Sequence, residues 1–183
     1  MKKYLKTDEW NIIEDQFHPT VNGCRKVYSV SETDVSGNEG IFEEPYSSDS
    51  YRGSFVAGIT FLDKTRVGWW KNGFPPYYTR IPKAADWSRI NLRLIDEELD
   101  LAGWDVDSFN RRLDMKEGIS YRDMEVTSPR GNQLHIHVEH ITNMARPNLC
   151  LIKYSVSSIN YTGRISLVPI LDGNIVDDAD LPT

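Results

Sequence analysis

Cysteine is scarce. Cys24 and Cys150 are the only two in 183 residues, too few for a disulfide framework. They pair only if the fold brings their backbones within bridging distance, so reduced thiols in a cytoplasmic protein are expected. Long apolar runs are also missing. No stretch approaches the roughly 18 residues of a membrane span, and the basic start MKKYLKTDEW has no apolar core behind it, so it does not read as a secretory signal. Positive charge is outnumbered: 21 Lys and Arg face 27 Asp and Glu, a formal charge of −6. That argues against nucleic acid as a partner, which requires clustered cations. There is no Gly-x-Ser-x-Gly elbow, no phosphate loop and no internal repeat. Helix-period segments of useful length are absent too.

What is present is strand. A hydrophobic content of 39 % is enough for one large domain with a core of its own. Residues 9–17 alternate, with Trp10, Ile12 and Glu14 on one face. Val27–Val30 makes a short strand candidate, SETDVSGNEG (31–40) a polar loop, and SFVAGITFL (54–62) a single strand with both faces apolar. Ile90, Leu92 and Leu94 alternate with polar neighbours, and Asp96-Glu97-Glu98 turns the chain towards Leu99 and Leu101. Arg111 to Thr127 reads as a strand pair or one bent strand. Ser120, Arg122, Met124 and Val126 share a face, so apolar character switches near Asp123 and suggests a bulge there. Ser128-Pro129-Arg130-Gly131-Asn132 is a hairpin turn. Alternation resumes through 134–139 and 150–156, and 165–168 leads into Pro169, which suits an edge or a strand end. The expected fold is all-β, a large antiparallel β-sandwich with few or no helices.

One stretch concentrates the aromatic residues. Residues 63–87 hold Trp69, Trp70 and Trp87, the pair Tyr77-Tyr78, and Pro75, Pro76 and Pro82. Lys71-Asn72-Gly73 sits in the middle as a turn, because Asn-Gly favours positive φ. Flat rings beside amide and cationic groups suit a sugar, and they suit a buried interface equally well.

Other constellations are weaker. His135 and His137 share a face at strand spacing, while His140 falls on the opposite one. A metal needs three or four converging ligands, so a histidine pair on the wet side is the plainer reading and no metal or cofactor is expected. Sugar hydrolysis needs two carboxyl groups, or one plus an external nucleophile, at a fixed separation. Adjacent pairs such as Glu43-Glu44 point to opposite faces of a strand and read as solvated loop. No catalytic residue is assigned, and Cys150 reads as a small hydrophobe.

Six segments resemble one family: DEWNIIEDQF (8–17), IFEE (41–44), SFVAGITF (54–61), DKTRVGWWKNGFPPYY (63–78), LDMKEGISYRD (113–123) and YTGRISLVPILDG (161–173). They are similar to the N-terminal region of glycoside hydrolase family 65, in its maltose phosphorylase-like branch. The resemblance implies that 1–183 is a β-super-sandwich, galactose mutarotase-like, which precedes a catalytic (α/α)6 barrel absent from this chain. It implies a parent enzyme, a cytoplasmic homodimer, that uses phosphate or water to split an α-glucoside. The module itself would be inactive, supporting barrel and dimer and lending a loop near the sugar: Trp69, Trp70, Lys71 and Asn72, then Tyr77 and Tyr78. The alternative is a stand-alone carbohydrate-binding sandwich. The chain departs from the family pattern between Tyr28 and Glu44, where only Gly37, Gly40 and the Phe42-Glu43-Glu44 end survive, and where Asp96-Glu97 replaces an Asp-Gly hairpin.

Overall fold

A computed structural model describes residues 5–17, 28–33, 36–39, 42–47, 53–56, 59–65, 73, 75–142, 145–146 and 149–174. Among these there is no helix, and every strand pairing is antiparallel. The all-β expectation holds.

The strands are β1 (Leu5–Thr7), β2 (Asn11–Glu14), β3 (Tyr28–Thr33), β4 (Ser36–Glu39), β5 (Gly53–Val56), β6 (Phe61–Lys64), β7 (Tyr77–Arg80), β8 (Lys83–Ala84), β9 (Asp86–Arg93), β10 (Asp105–Asp114), β11 (Ile119–Thr127), β12 (Gln133–Thr142), β13 (Cys150–Ser158) and β14 (Ser166–Asp172). The main sheet runs β1-β2-β10-β11-β12-β13. A second pairs β14 with β9, a third runs β3-β4-β5-β8, and β6 with β7 forms a separate two-stranded ribbon.

Turn chemistry sets the main sheet. Between β10 and β11, Asp114 accepts bonds from the Lys116 and Glu117 amides at 3.1 and 3.0 Å, and Gly118 takes the left-handed φ of +69° that closes the turn. Between β11 and β12, Gly131 does the same at φ +82°, and Ser128 accepts the Asn132 amide. Of the strand pair or single bent strand expected over 111–127, the pair is present, with its first strand starting earlier at Asp105, and the hairpin at 128–132 is present too. The acidic Asp96–Glu98 turn is also found: Leu94 and Leu99 amides bond to Glu97 and Leu92 carbonyls at 2.8 and 2.9 Å.

Alternation buries one face of the main sheet. Met124, Val126, Leu134, Ile136 and Val138 form one buried cluster with Phe42, Leu92, Leu94, Leu99, Leu101, Trp104 and Phe109. Fully burying one such side chain contributes about 1.5–3 kcal/mol.

Three expectations are corrected. The polar stretch 31–40 is not simply a loop, because β4 pairs on both sides, with β3 and with β5, and sheet context overrides weak strand propensity. Residues 54–62 are not one strand, since β5 ends at Val56 and β6 begins at Phe61, and the two pair with different partners, β8 and β7. No register shift occurs near Asp123: Ser120, Arg122, Met124 and Val126 all point inward, and the bulge lies in β10 between Val106 and Ser108.

Candidate functional site

The aromatic stretch enters the described structure as the ribbon, inserted between β5 and β8, which pair with each other. In its register Phe61 opposes Arg80 and Asp63 opposes Tyr78, so these four share a face. Arg80 reaches Asp63 at 3.0 Å and lies 5.6 Å from the Phe61 ring centre, while the Tyr78 hydroxyl donates to Asp63 at 3.3 Å. Leu62 and Tyr77 occupy the other face, 72 % and 55 % exposed. Tyr77 and Tyr78 thus stand back to back on an exposed arm. Trp69, Trp70, Lys71 and Asn72 lie outside the described residues. Gly73 has φ +92°, as the Asn-Gly turn reading requires.

A second constellation is buried. Register places Glu14, Arg111, Arg122, Val138 and Tyr154 straight across five adjacent strands, β2, β10, β11, β12 and β13, on the inward face. His140 is the next inward position on β12. Onto this row folds a strap, residues 42–47. Arg122 donates to both Glu44 carboxylate oxygens at 2.8 and 2.7 Å and pairs with Glu43 at 2.5 Å. Nε2 of His140 meets Glu43, and the Tyr154 hydroxyl donates to Glu44 at 2.6 Å. Arg111 pairs with Glu14 at 3.5 Å, and both guanidiniums lie over the Phe42 ring, at 5.1 and 5.4 Å. Glu43 and Glu44 are therefore not solvated loop residues, as sequence had suggested. They are sealed inside the sandwich, because an irregular strap, unlike a strand, can aim neighbouring side chains the same way.

The electrostatics follow from this packing. Burial pushes the Glu43 carboxyl up, but Arg122 and His140 outweigh it and hold it at about 2. Burial pulls the Arg122 guanidinium down, and the two carboxylates more than reverse that. Burial and Glu44 both drive the Tyr154 phenol upwards. Arg111 is lowered by burial, with Arg122 adding to the effect and Glu14 opposing it. Glu43 and Glu44 are thus shut off from solvent and held by Arg122, His140 and Tyr154.

On the wet face, His137 lies between Asp123 (2.7 Å) and Glu139 (3.1 Å), with His135 3.5 Å from Asp123 and Lys153 on Glu139 at 2.7 Å. The Asp123 hydrogen bond raises the His137 pKa despite partial burial. His140 is on the opposite face, as alternation predicts. Among the described residues no set of three or more His, Cys, Asp or Glu converges to hold a metal ion. An open concavity of about 540 Å³ lies at the β10 bulge, lined by Asp15, Gln16, Phe17 and residues 106–109.

The described residues thus form an antiparallel β-sandwich that carries an exposed aromatic ribbon and a buried ionic cluster. Residues 35–181 match the family model "Glycosyl hydrolase family 65, N-terminal domain", and the chain belongs to that family. It is 34 % identical over 177 residues to maltose phosphorylase of Bacillus subtilis (strain 168), which covers 97 % of this chain and 23 % of that protein. It is 29 % identical to alpha,alpha-trehalose phosphorylase of Thermoanaerobacter brockii, covering 92 % of this chain and 22 % of the relative. A solved structure described as a candidate kojibiose phosphorylase from the human microbiome superimposes with a TM-score of 0.76 at 25 % identity, over 96 % of this chain and 23 % of that one. The chain thus spans less than a quarter of the length of these relatives.

Proposed function

We propose that residues 1–183 act as a non-catalytic N-terminal module of a cytoplasmic enzyme that phosphorolyses a maltose-like α-glucoside, supporting a catalytic (α/α)6 barrel and a homodimer. The names of the relatives, all phosphorylases, support phosphorolysis over hydrolysis. The observation that carries the supporting role is β14. Its sequence SLVPILD is apolar in the manner of a strand covered on both faces. Yet Leu167, Val168 and Leu171 are 43 %, 40 % and 73 % exposed, beside a β9 whose Leu92 and Asn91 are buried. Pro169 interrupts hydrogen bonding along that edge, which favours covering of the faces over addition of a strand. In this reading Trp69, Trp70, Lys71 and Asn72, with Tyr77 and Tyr78, would reach towards the sugar.

Immunoblotting the source cells with antibody to this chain tests the reading. The expected band is several times heavier than 21.0 kDa; a band at that mass overturns it. The exposed Tyr77 and Tyr78 favour, as a second reading, a stand-alone sugar-binding sandwich. Titrating maltose, trehalose and kojibiose against tryptophan fluorescence separates the two, since saturable quenching at millimolar sugar corresponds to about −4 kcal/mol of binding.

A further inference from the structure

The arm has little of the apolar core beneath it. Among described side chains, β5 and β8 contribute none to the buried apolar cluster, and they hold each other through two residue pairs, Ser54 with Ala84 and Phe55 with Lys83. What the main sheet grips firmly is the strap, which precedes β5 in the chain. Three bonds also tie the strap to the segment around β9. The Ile90 amide donates to the Glu43 carbonyl at 2.8 Å, the Leu101 amide to the Pro45 carbonyl at 3.0 Å, and the Ser47 amide to Asp100 at 3.0 Å. The strap is therefore held on both flanks of the ribbon's base, before β5 and at β9, just after β8.

We propose that Glu43, Glu44, Arg122, His140 and Tyr154 form an ionic latch that positions the ribbon on the sandwich. Its members are positioning residues. The structural claim stands by itself, and only its consequence for sugar rests on the reading of the ribbon given above.

The latch is charge-driven, so it opens with acid. Among the described residues, Glu43 is faced by Arg122 of β11 and His140 of β12 directly, by Glu44 within the strap, and by Tyr154 of β13 through Glu44. Arg111 of β10 and Glu14 of β2 lie further along the row, and the Trp87 ring of β9 lies 6.4 Å from that of His140. A carboxylate held at about 2 in the closed state, against an ordinary 4.5 when released, contributes fully above 4.5 and loses its contribution as the pH falls towards 2. Linkage then multiplies the opening constant by about 20-fold between pH 5 and pH 3.

Amide hydrogen exchange on the full chain, normalised for intrinsic rate, tests this. Exchange at Ile90 and Leu101, whose acceptors belong to the strap, is expected to rise about 20-fold from pH 5 to pH 3 while Met124 and Ile136 stay protected. In Glu43→Gln the same two amides should already be fast at pH 7 and lose the acid dependence. Spin labels at Leu62→Cys and Ile159→Cys, with Cys24 and Cys150 changed to Ala, should give a narrow distance distribution in the parent and a broad one with Glu43→Gln. A uniform rise at all four amides on acidification overturns the latch, and so does an unchanged distribution with the strap amides exposed. If Glu43→Gln fails to fold, the parent pH series alone decides. A positive latch result with no sugar quenching would leave the latch standing and remove the sugar role of the ribbon.

Discussion

Replacing Arg122 by Met keeps most of the side-chain volume and removes the guanidinium. Two carboxylates, 4 % and 0 % exposed, then lose contacts of 2.5 to 2.8 Å. Breaking a buried ion pair from one side costs about 3–5 kcal/mol, because an uncompensated charge stays behind. A domain of ordinary stability has about 5–15 kcal/mol in total, so Arg122→Met should lose a large share of it. With a urea slope of roughly 2 kcal/mol per molar, the midpoint should fall by about 2 M. The triple variant Arg122→Met/Glu43→Gln/Glu44→Gln, which removes the orphaned charges, should recover at least half of the loss. Acid should separate the proteins further. The parent weakens as the pH falls below 4.5, since Glu43 is depressed. Arg122→Met should instead gain stability as the pH falls towards 4.5, because burial raises its unpaired carboxylates above the ordinary value, and level off below it. A loss below about 1 kcal/mol, the range of an exposed ion pair, would refute the reasoning. A triple variant no better than the single one would do so equally.

Two further outcomes follow from the packing and from the wet face. Leu92 is a fully buried member of the cluster, so Leu92→Ala should cost about 2–5 kcal/mol in urea unfolding; a loss under 1 kcal/mol would mean the cluster collapses around the site. His137 has a raised pKa in the folded state. Its contribution is complete below the ordinary 6.5 and disappears as the pH rises through the raised value. The melting-temperature gap between the parent and His137→Gln should therefore be larger at pH 5 than at pH 9, and an equal gap would contradict the clamp by Asp123 and Glu139.

Legibility in the sequence followed the range of the governing interactions. The β11–β12 turn was readable because Gly131 and Ser128 settle it within five residues. The inward set of β12 was readable because period-two alternation is local. Segments 31–40 and 54–62 were misread where pairing with other strands decides the outcome. The buried cluster was the largest miss. Its signal was visible as Arg122 on a face with Met124 and Val126, but it was taken for a change of face near Asp123. Only the strap, 78 residues away in the chain, explains why a guanidinium belongs inside. The sugar-facing role proposed for Trp69 to Asn72 rests on resemblance, and Tyr77 and Tyr78 alone of that group stand in the described structure.

The row that runs from Glu14 to Tyr154 also acts as an alignment mark. Sliding a strand by one residue turns its apolar set outward and is forbidden by that alone. Sliding it by two keeps inside and outside intact, and an all-apolar face would resist it only through the fit of its side chains. Here a two-residue slip between β10 and β11 would carry Arg111 off the Phe42 ring that it shares with Arg122, and a slip of β12 would carry His140 out of reach of Glu43. The charged positions thus discriminate against the misalignments that alternation cannot detect, and this sheet has one correct pairing where a greasier one would have several near-equal ones.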